Sequence, residues 1–229
     1  MCSKSSPRVS IIDYGMGNLF SIRQACEYVQ LSAEITSNGE DVSGSDAVIL
    51  PGVGAFGDAM ANLAKLGLID RIINFIKTGK PFMGICLGMQ LLFSESDEFG
   101  KHKGLDVISG SVVKFPAMDN KGIVSKVPQI GWNRIKKNRF DKNYKSWENT
   151  PLAEQADGVF MYFAHSFYAI PNSSRNLLAI TDYADIEYAS GIMQNNVWGF
   201  QFHPEKSGAE GLKIYKSFKN IISAGGCNG

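Results

Sequence analysis

The chain has 229 residues, of which 44% are hydrophobic and 20% charged, enough apolar side chains for a sizeable core and too well mixed for a disordered or fibrous protein. With 23 Lys and Arg against 22 Asp and Glu the net charge is +1, which removes the electrostatic case for a nucleic-acid binder or an anionic-membrane binder. The most apolar stretch, residues 82–93, is interrupted by Gly84, Gly88 and Gln90, so it falls short of the roughly 18 apolar residues of a membrane span.

The first half alternates strand-like and helix-like segments. Val9-Ser10-Ile11-Ile12 reads as a strand, followed by a Gly-rich turn over residues 14–18 and a helix on which Phe20, Ile22, Ala25, Cys26 and Val29 recur at helical spacing. After a short run around residues 33–35, Ala47-Val48-Ile49-Leu50 is apolar throughout, as a buried parallel strand is, and Pro51-Gly52 ends it. Met60, Leu63, Ala64 and Leu66, then Ile69, Ile72, Ile73 and Ile76, give two further helical faces. Residues 81–85 read as another central strand, and residues 87–93 as a helix. Strands alternating with helices predict an α/β fold with a central, mostly parallel sheet flanked by helices.

The second half is richer in strands, with candidates at residues 107–115, 131–136, 159–168, 177–181 and 197–202. A helix over residues 210–222 closes the chain, with Leu212, Tyr215, Phe218 and Ile222 on one face and Lys213, Lys216 and Lys219 turned to water. No repeat or linker divides the chain, so residues 1–229 are expected to form a single domain. The basic run from Arg134 through Lys136, Lys137 and Arg139 to Lys142 and Lys145 reads as a solvated loop. Its aromatic neighbours Phe140, Tyr144 and Trp147 are too few to specify base stacking. Residues 1–7 are polar and lead straight into the first strand with no apolar signal core, so a cytoplasmic protein is expected.

Four scattered cysteines, Cys2, Cys26, Cys86 and Cys227, include no CxxC pair and suggest neither a disulfide framework nor a zinc site. A free Cys is most often a small buried hydrophobe, and Cys26 on an apolar helix face fits that description, as Cys2 and Cys227 fit incidental positions near the ends. Cys86 differs because Gly84-Ile85-Cys86-Leu87-Gly88 has the shape of a nucleophile elbow. The nucleophile of such an elbow sits on a sharp strand-to-helix turn, with small residues two before and two after it. A helix N-terminus favours thiolate over thiol, and the Leu87 amide would point at a developing oxyanion.

A thiolate nucleophile needs a base that can later protonate the leaving group, and the chain has three histidines. His203 ends a strand-like run and is followed two residues later by Glu205, a carboxylate able to orient it as the third member of a triad. His102, in a polar stretch, reads as solvated. His165, in an apolar strand, reads as a satisfied core histidine. The glycines of Pro51-Gly52-Val53-Gly54 permit close backbone approach and a second oxyanion donor, although the loop lacks the GxGxxG and P-loop spacings of nucleotide sites.

These segments together resemble the class I (triad) glutamine amidotransferases. Pro51-Gly52-Val53-Gly54, the elbow continued to Met89-Gln90, and Gln201-Phe202-His203-Pro204-Glu205 stand in that family's order and spacing over nearly the whole chain. Asp13-Tyr14-Gly15-Met16-Gly17-Asn18, Gly54-Ala55-Phe56-Gly57-Asp58 and Pro128-Gln129-Ile130-Gly131-Trp132-Asn133 are similar to the branch that supplies glutaminase subunits to imidazole glycerol phosphate synthases. The resemblance implies a catalytic triad of Cys86, His203 and Glu205, and an oxyanion hole from the Val53 and Leu87 amides, with the Val53 peptide reorienting to complete it. It assigns Gly52, Gln90, Glu98, Ser166 and Phe167 to glutamine binding.

It further implies no metal or cofactor, a cyclase subunit of (β/α)8-barrel type as partner in a heterodimer, and Asn18, Trp132 and Lys206 at the interface. Ammonia would pass to that partner, and the partner's ligand would stimulate a glutaminase nearly silent alone. Two departures, Gln129 where the family usually has His and Ala164 where many members have Val, fall in segments that would face the partner. A subunit that serves an enzyme aminating a cell-surface sugar is therefore the alternative reading. A non-catalytic scaffold is disfavoured by the complete triad. A thiol peptidase or γ-glutamyl hydrolase is disfavoured by Gln90 and the Trp132 segment.

Overall fold

The computed structural model describes residues 7–118, 126–138 and 147–225. Its first half runs β1 (Val9–Ile12), α1 (Leu19–Tyr28), β2 (Ala33–Thr36), α2 (Gly39–Gly44), β3 (Ala47–Leu50), α3 (Phe56–Lys65), α4 (Leu68–Lys77) and β4 (Phe82–Ile85). A short helix α5 (Leu87–Gln90) follows, then β5 (Phe93–Ser96), β6 (His102–Lys103), β7 (Ile108–Lys114) and β8 (Gln129–Lys137). The chain continues through β9 (Val159–His165), β10 (Phe167–Pro171), β11 (Leu177–Tyr183), β12 (Ile186–Gln194) and β13 (Val197–Phe200) to the closing helix α6 (Gly208–Gly225).

The strands join in one sheet, parallel across β2-β1-β3-β4-β13 and antiparallel from β13 onward through β12, β10 and β7. Strands β11, β8 and β9 branch from β12 as an antiparallel extension. The inner parallel strands β1, β3, β4 and β13 are buried along their whole length because helices cover both faces, whereas β2 at the edge is not. Ile11, Ile49 and Met83 join Ile22 and Cys26 of α1 and Tyr215 and Phe218 of α6 in one apolar layer. Ile12, Val48 and Phe82, one residue out of phase, join Phe56 and Leu63 of α3 and Ile72 and Phe75 of α4 in the other. Among the described residues no helix is long and apolar enough to cross a membrane.

Several elements differ from the expectation. Helix α5 ends at Gln90 and Phe93 opens a strand, because Met89, Leu91, Leu92 and Phe93 are all buried and an unbroken apolar run carries no period to separate helix from strand. The run 159–168 breaks at Ser166, where the chain leaves β8 for pairing with β7 and β12. Strands β5, β6 and β12 and helix α2 were not anticipated; the middle of β12, Ala189-Ser190-Gly191, has little strand propensity, and its burial between β11 and β13 decides it.

Arg134, Lys136 and Lys137 lie on β8 rather than in a loop. The Arg134 guanidinium sits 4.9 Å from the centre of the Phe160 ring, Lys136 pairs with Asp182, and Lys137 Nζ lies 5.4 Å from the Trp147 ring. The rest of that basic run, Arg139, Lys142 and Lys145 with Phe140 and Tyr144, lies outside the described residues, as do Cys2 and Cys227. Phe20 is 57% exposed rather than part of the α1 core face.

Candidate active site

Cys86 stands alone between β4 and α5, with φ 54° and ψ −112°, a left-handed conformation that a non-glycine residue rarely adopts. The elbow is held from both sides. Cys86 N donates to Phe200 O at 2.7 Å, which locks it to the end of β13, and Met89 N donates to Cys86 O at 3.0 Å, which starts the helix. The bend is possible only with glycine at its flanks. A Cβ on Gly88 would lie 1.9 Å from Leu50 O, and one on Gly84 would lie 2.8 Å from Gly88 O.

His203 and Glu205 arrive from the other side of the same strand pairing. Because β13 lies parallel to β4, the residues just past its end meet the residues just past the end of β4. His203 Nδ1 lies 2.8 Å from Glu205 Oε1, with both side chains almost wholly buried, and the ring feels the charge of the Cys86 sulfur. Burial by itself would lower the His203 pKa, but the negative sulfur of Cys86 and the hydrogen-bonded carboxylate of Glu205 outweigh it and raise it to about 10. Cys86, His203 and Glu205 therefore meet in one buried group, with His203 and Glu205 joined by a hydrogen bond. Neither Cys86 nor Cys26 is in a disulfide, and burial followed by the charge of Glu27 pushes Cys26 up to about 12, which keeps the Cys26 thiol protonated.

Cys86 opens onto a cavity of about 240 Å³ lined by the expected residues Val53, Leu87, Gln90, Glu98, Ser166 and Phe167. Gly52 lies beneath it, where a Cβ would meet the Tyr14 hydroxyl at 2.3 Å and Leu87 Cβ at 2.9 Å. Glu98 Oε2 accepts from Phe56 N at 2.6 Å and so ties the first turn of α3, and the Val53-Gly54 loop before it, to the cavity wall. Pro128, Ile130 and Ala164 of the β8–β9 hairpin complete the mouth.

His165 also lines this cavity. It is satisfied as expected of a core histidine, with Nδ1 2.7 Å from Phe167 O and Nε2 3.3 Å from the Tyr188 hydroxyl, and burial holds its pKa down at about 4, so it is neutral at pH 7. His102 is half-buried rather than solvated, its ring lying against Gly57 of α3.

Period-two alternation along the hairpin turns Gln129, Met161 and His165 inward and leaves Ile130, Trp132, Arg134 and Phe160 exposed on one face. Lys206 Nζ lies 5.9 Å from the Tyr162 ring, and Trp132 packs edge-on against the same ring. Trp132 and Lys206 are thus brought together beside the cavity mouth. Asn18 sits half-buried at the start of α1, one residue after Gly17, which packs on Pro51. Gln129 does not face outward as its segment suggested; it is buried and its Oε1 accepts from the Tyr188 hydroxyl at 2.9 Å.

Sequence reasoning gave no role to Tyr14, whose hydroxyl donates to Pro51 O at 2.8 Å beneath the glycine loop. It also gave none to Gln201, whose Nε2 lies 3.7 Å from Cys86 Sγ. The signal for Gln201 was its place two residues before His203, the spacing that puts extended-chain side chains on one side.

Comparison with known proteins agrees with this arrangement. Residues 10–220 match the family described as Glutamine amidotransferase class-I. Imidazole glycerol phosphate synthase subunit HisH 1 of Legionella pneumophila strain Paris is 43% identical over 213 residues, 93% of this chain and 99% of that protein. The HisH subunit of Caldanaerobacter subterraneus subsp. tengcongensis is 45% identical over 214 residues, 93% of this chain and 98% of its own length. Among solved structures, PurLQS from Thermotoga maritima superimposes with a TM-score of 0.67 at 20% identity, over 94% of this chain and 99% of that one, a likeness of fold. The family match over most of the chain and the identity over nearly all of it lead to one conclusion: this chain belongs to the class I glutamine amidotransferase family.

Proposed function

We propose that this chain is the glutaminase subunit of an imidazole glycerol phosphate synthase, acting as one domain in the cytoplasm, and that it hydrolyses glutamine through Cys86 and delivers the ammonia to a cyclase subunit in histidine biosynthesis. The observation that carries the reading is the buried Cys86-His203-Glu205 line at a strained strand-to-helix turn, opening onto a cavity large enough for an amino acid. Identity of 41–45% to HisH subunits over nearly the full chain supports the pathway.

In this mechanism the Cys86 thiolate attacks the side-chain amide carbon of glutamine. The C–S bond forms as the carbonyl electrons move to oxygen, where the amides of Val53 and Leu87 stabilise the charge. Protonated His203 gives its proton to the departing nitrogen, the C–N bond breaks, and ammonia leaves a γ-glutamyl thioester on Cys86. His203, now neutral and held by Glu205, takes a proton from water as the hydroxide adds to the thioester carbon. Collapse releases glutamate and restores thiolate and imidazolium. Gly52, Gln90, Ser166 and Phe167 hold the substrate, and Glu98 supplies the negative charge for its ammonium group.

The cavity mouth gives the ammonia a direction. Pro128, Ile130 and Ala164 belong to the hairpin that exposes Trp132 beside Lys206, so a (β/α)8-barrel cyclase docked there in a heterodimer, with Asn18 at its edge, would cover the mouth and receive ammonia without loss to solvent. That hairpin is also stapled to the triad. His203 N donates to Tyr162 O at 2.8 Å, and Tyr162 N donates to Ser207 Oγ at 3.0 Å, so pressure on β9 reaches the base. The test measures glutamate release from glutamine by the chain alone, and again with a cyclase subunit and its nucleotide ligand. Strong stimulation in the complex is expected; absence of glutamate release in every mixture overturns the reading.

A further inference from the structure

Gln201 is wholly buried, and its side-chain amide bridges Gln90 and Cys86. The orientation of that amide follows from one backbone group. Phe167 O lies 2.9 Å from the Gln90 side-chain nitrogen position and, being a carbonyl, can only accept, so the Gln90 atom facing it is the NH₂. The same nitrogen lies 2.9 Å from Gln201, which must present its oxygen there. The remaining end of the Gln201 amide, 3.7 Å from Cys86 Sγ, is therefore an NH₂ donor. The polarity of Phe167 O thus passes through two amides to the sulfur, which meets an N–H and has no acceptor in Gln201 to which a thiol proton could be given.

The backbone fixes the same geometry. Gln201 N donates to Ser190 O at 3.0 Å while Cys86 N bonds to Phe200 O, so the chain leaving β13 cannot slide past the elbow. Gln201 and His203, two residues apart, approach one sulfur.

We propose that Gln201 is a further catalytic residue, a neutral donor to the Cys86 sulfur that stabilises the thiolate alongside His203, with Gln90 and Phe167 O as the groups that hold its amide in the donating orientation. A hydrogen bond to a charged acceptor is stronger than one to a neutral acceptor, so this contact favours thiolate over thiol. It acts on the nucleophile before substrate arrives and again when the thioester collapses and the sulfur leaves as thiolate. Gln90 consequently has both its N–H bonds committed and can offer substrate only its carbonyl oxygen.

The proposal rests on Cys86 being the nucleophile, and the two are separable. In the 229-residue chain at pH 7, the rate of Cys86 alkylation by iodoacetamide, followed by peptide mass spectrometry, is compared for the native sequence, Gln201→Leu and the near-isosteric Gln201→Met. Glutamate release is measured in parallel in the complex with the cyclase subunit. The expected result is about a tenfold slower alkylation of Cys86 in a variant that retains its thermal unfolding transition, with kcat lowered by a similar factor and KM nearly unchanged. Alkylation at the native rate in a folded Gln201 variant overturns the role of Gln201. Full glutamine turnover by Cys86→Ala overturns the nucleophile instead.

Discussion

Cys86 is a small side chain in a tight place, so its removal separates chemistry from folding. Cys86→Ala deletes one sulfur from a residue 5% exposed, a change worth about 1 kcal/mol or less of packing, while the covalent route to the thioester disappears. Glutamate release should fall by roughly a thousandfold or more, with the thermal midpoint shifted by only a few degrees; both are read on one purified sample. His203 adds a pH signature. Its folded pKa of about 10 lies above the roughly 6.5 of a free imidazole, so the native state holds the proton more tightly. That stabilisation is fully present below pH 6.5 and is lost as pH rises through 10. Denaturant midpoints measured between pH 6 and 10 should decline, and the decline should be smaller in Cys86→Ala, where the charge raising the His203 pKa is gone. Equal slopes would contradict the assignment. Cys86, His203 and Glu205 were legible in the sequence as candidates because each sits in a short motif with local meaning. Gln201 was not, because its role depends on Gln90 and Phe167, residues 111 and 34 positions away, meeting at one point.

At the scale of elements the elbow is the joint on which the site turns. Gly88→Ala would set a methyl group 1.9 Å from Leu50 O, and neither β3 nor β4 can yield inside a sheet covered on both faces. Replacement should cost about 2–4 kcal/mol and displace Cys86 enough to suppress turnover, measurable by chemical denaturation and glutamate release. The parallel strands were legible because β3 and β4 are wholly apolar segments ended by Pro51-Gly52 and by the elbow. The break of residues 159–168 into β9 and β10 was not, since alternation runs on across Ser166 and only the change of strand partners reveals it. Strand β6 escaped notice for a related reason. Two residues, His102 and Lys103, carry no pattern of their own and are a strand because β5 pairs with them.

At the scale of the whole molecule, the cavity mouth at Ile130 lies on the same hairpin as the exposed Trp132 and Phe160. Trp132 is 57% exposed, so Trp132→Ala should leave the thermal midpoint nearly unchanged and weaken binding to the cyclase subunit by about 2 kcal/mol, roughly thirtyfold, in a titration of the two chains. Stimulation of glutaminase activity at saturating partner would then show whether Trp132 contributes to docking alone. An unchanged affinity would place the interface elsewhere. The near-neutral net charge fits docking through apolar and aromatic contact rather than through a strong electrostatic field.

The sequence by itself determined the alternation of strands and helices, the elbow with its cysteine, and the His-Pro-Glu turn, because each is a local pattern whose physical meaning is contained in a few neighbouring residues. Only the tertiary structure decided which groups converge on the sulfur. It brought β13 beside β4, so that Gln201 and His203 both reach Cys86, and it folded the β8–β9 hairpin over the cavity mouth, turning Gln129 inward and Trp132 out. Side-chain direction in a strand is set by register and by what covers each face, and those are properties of paired strands rather than of any one segment.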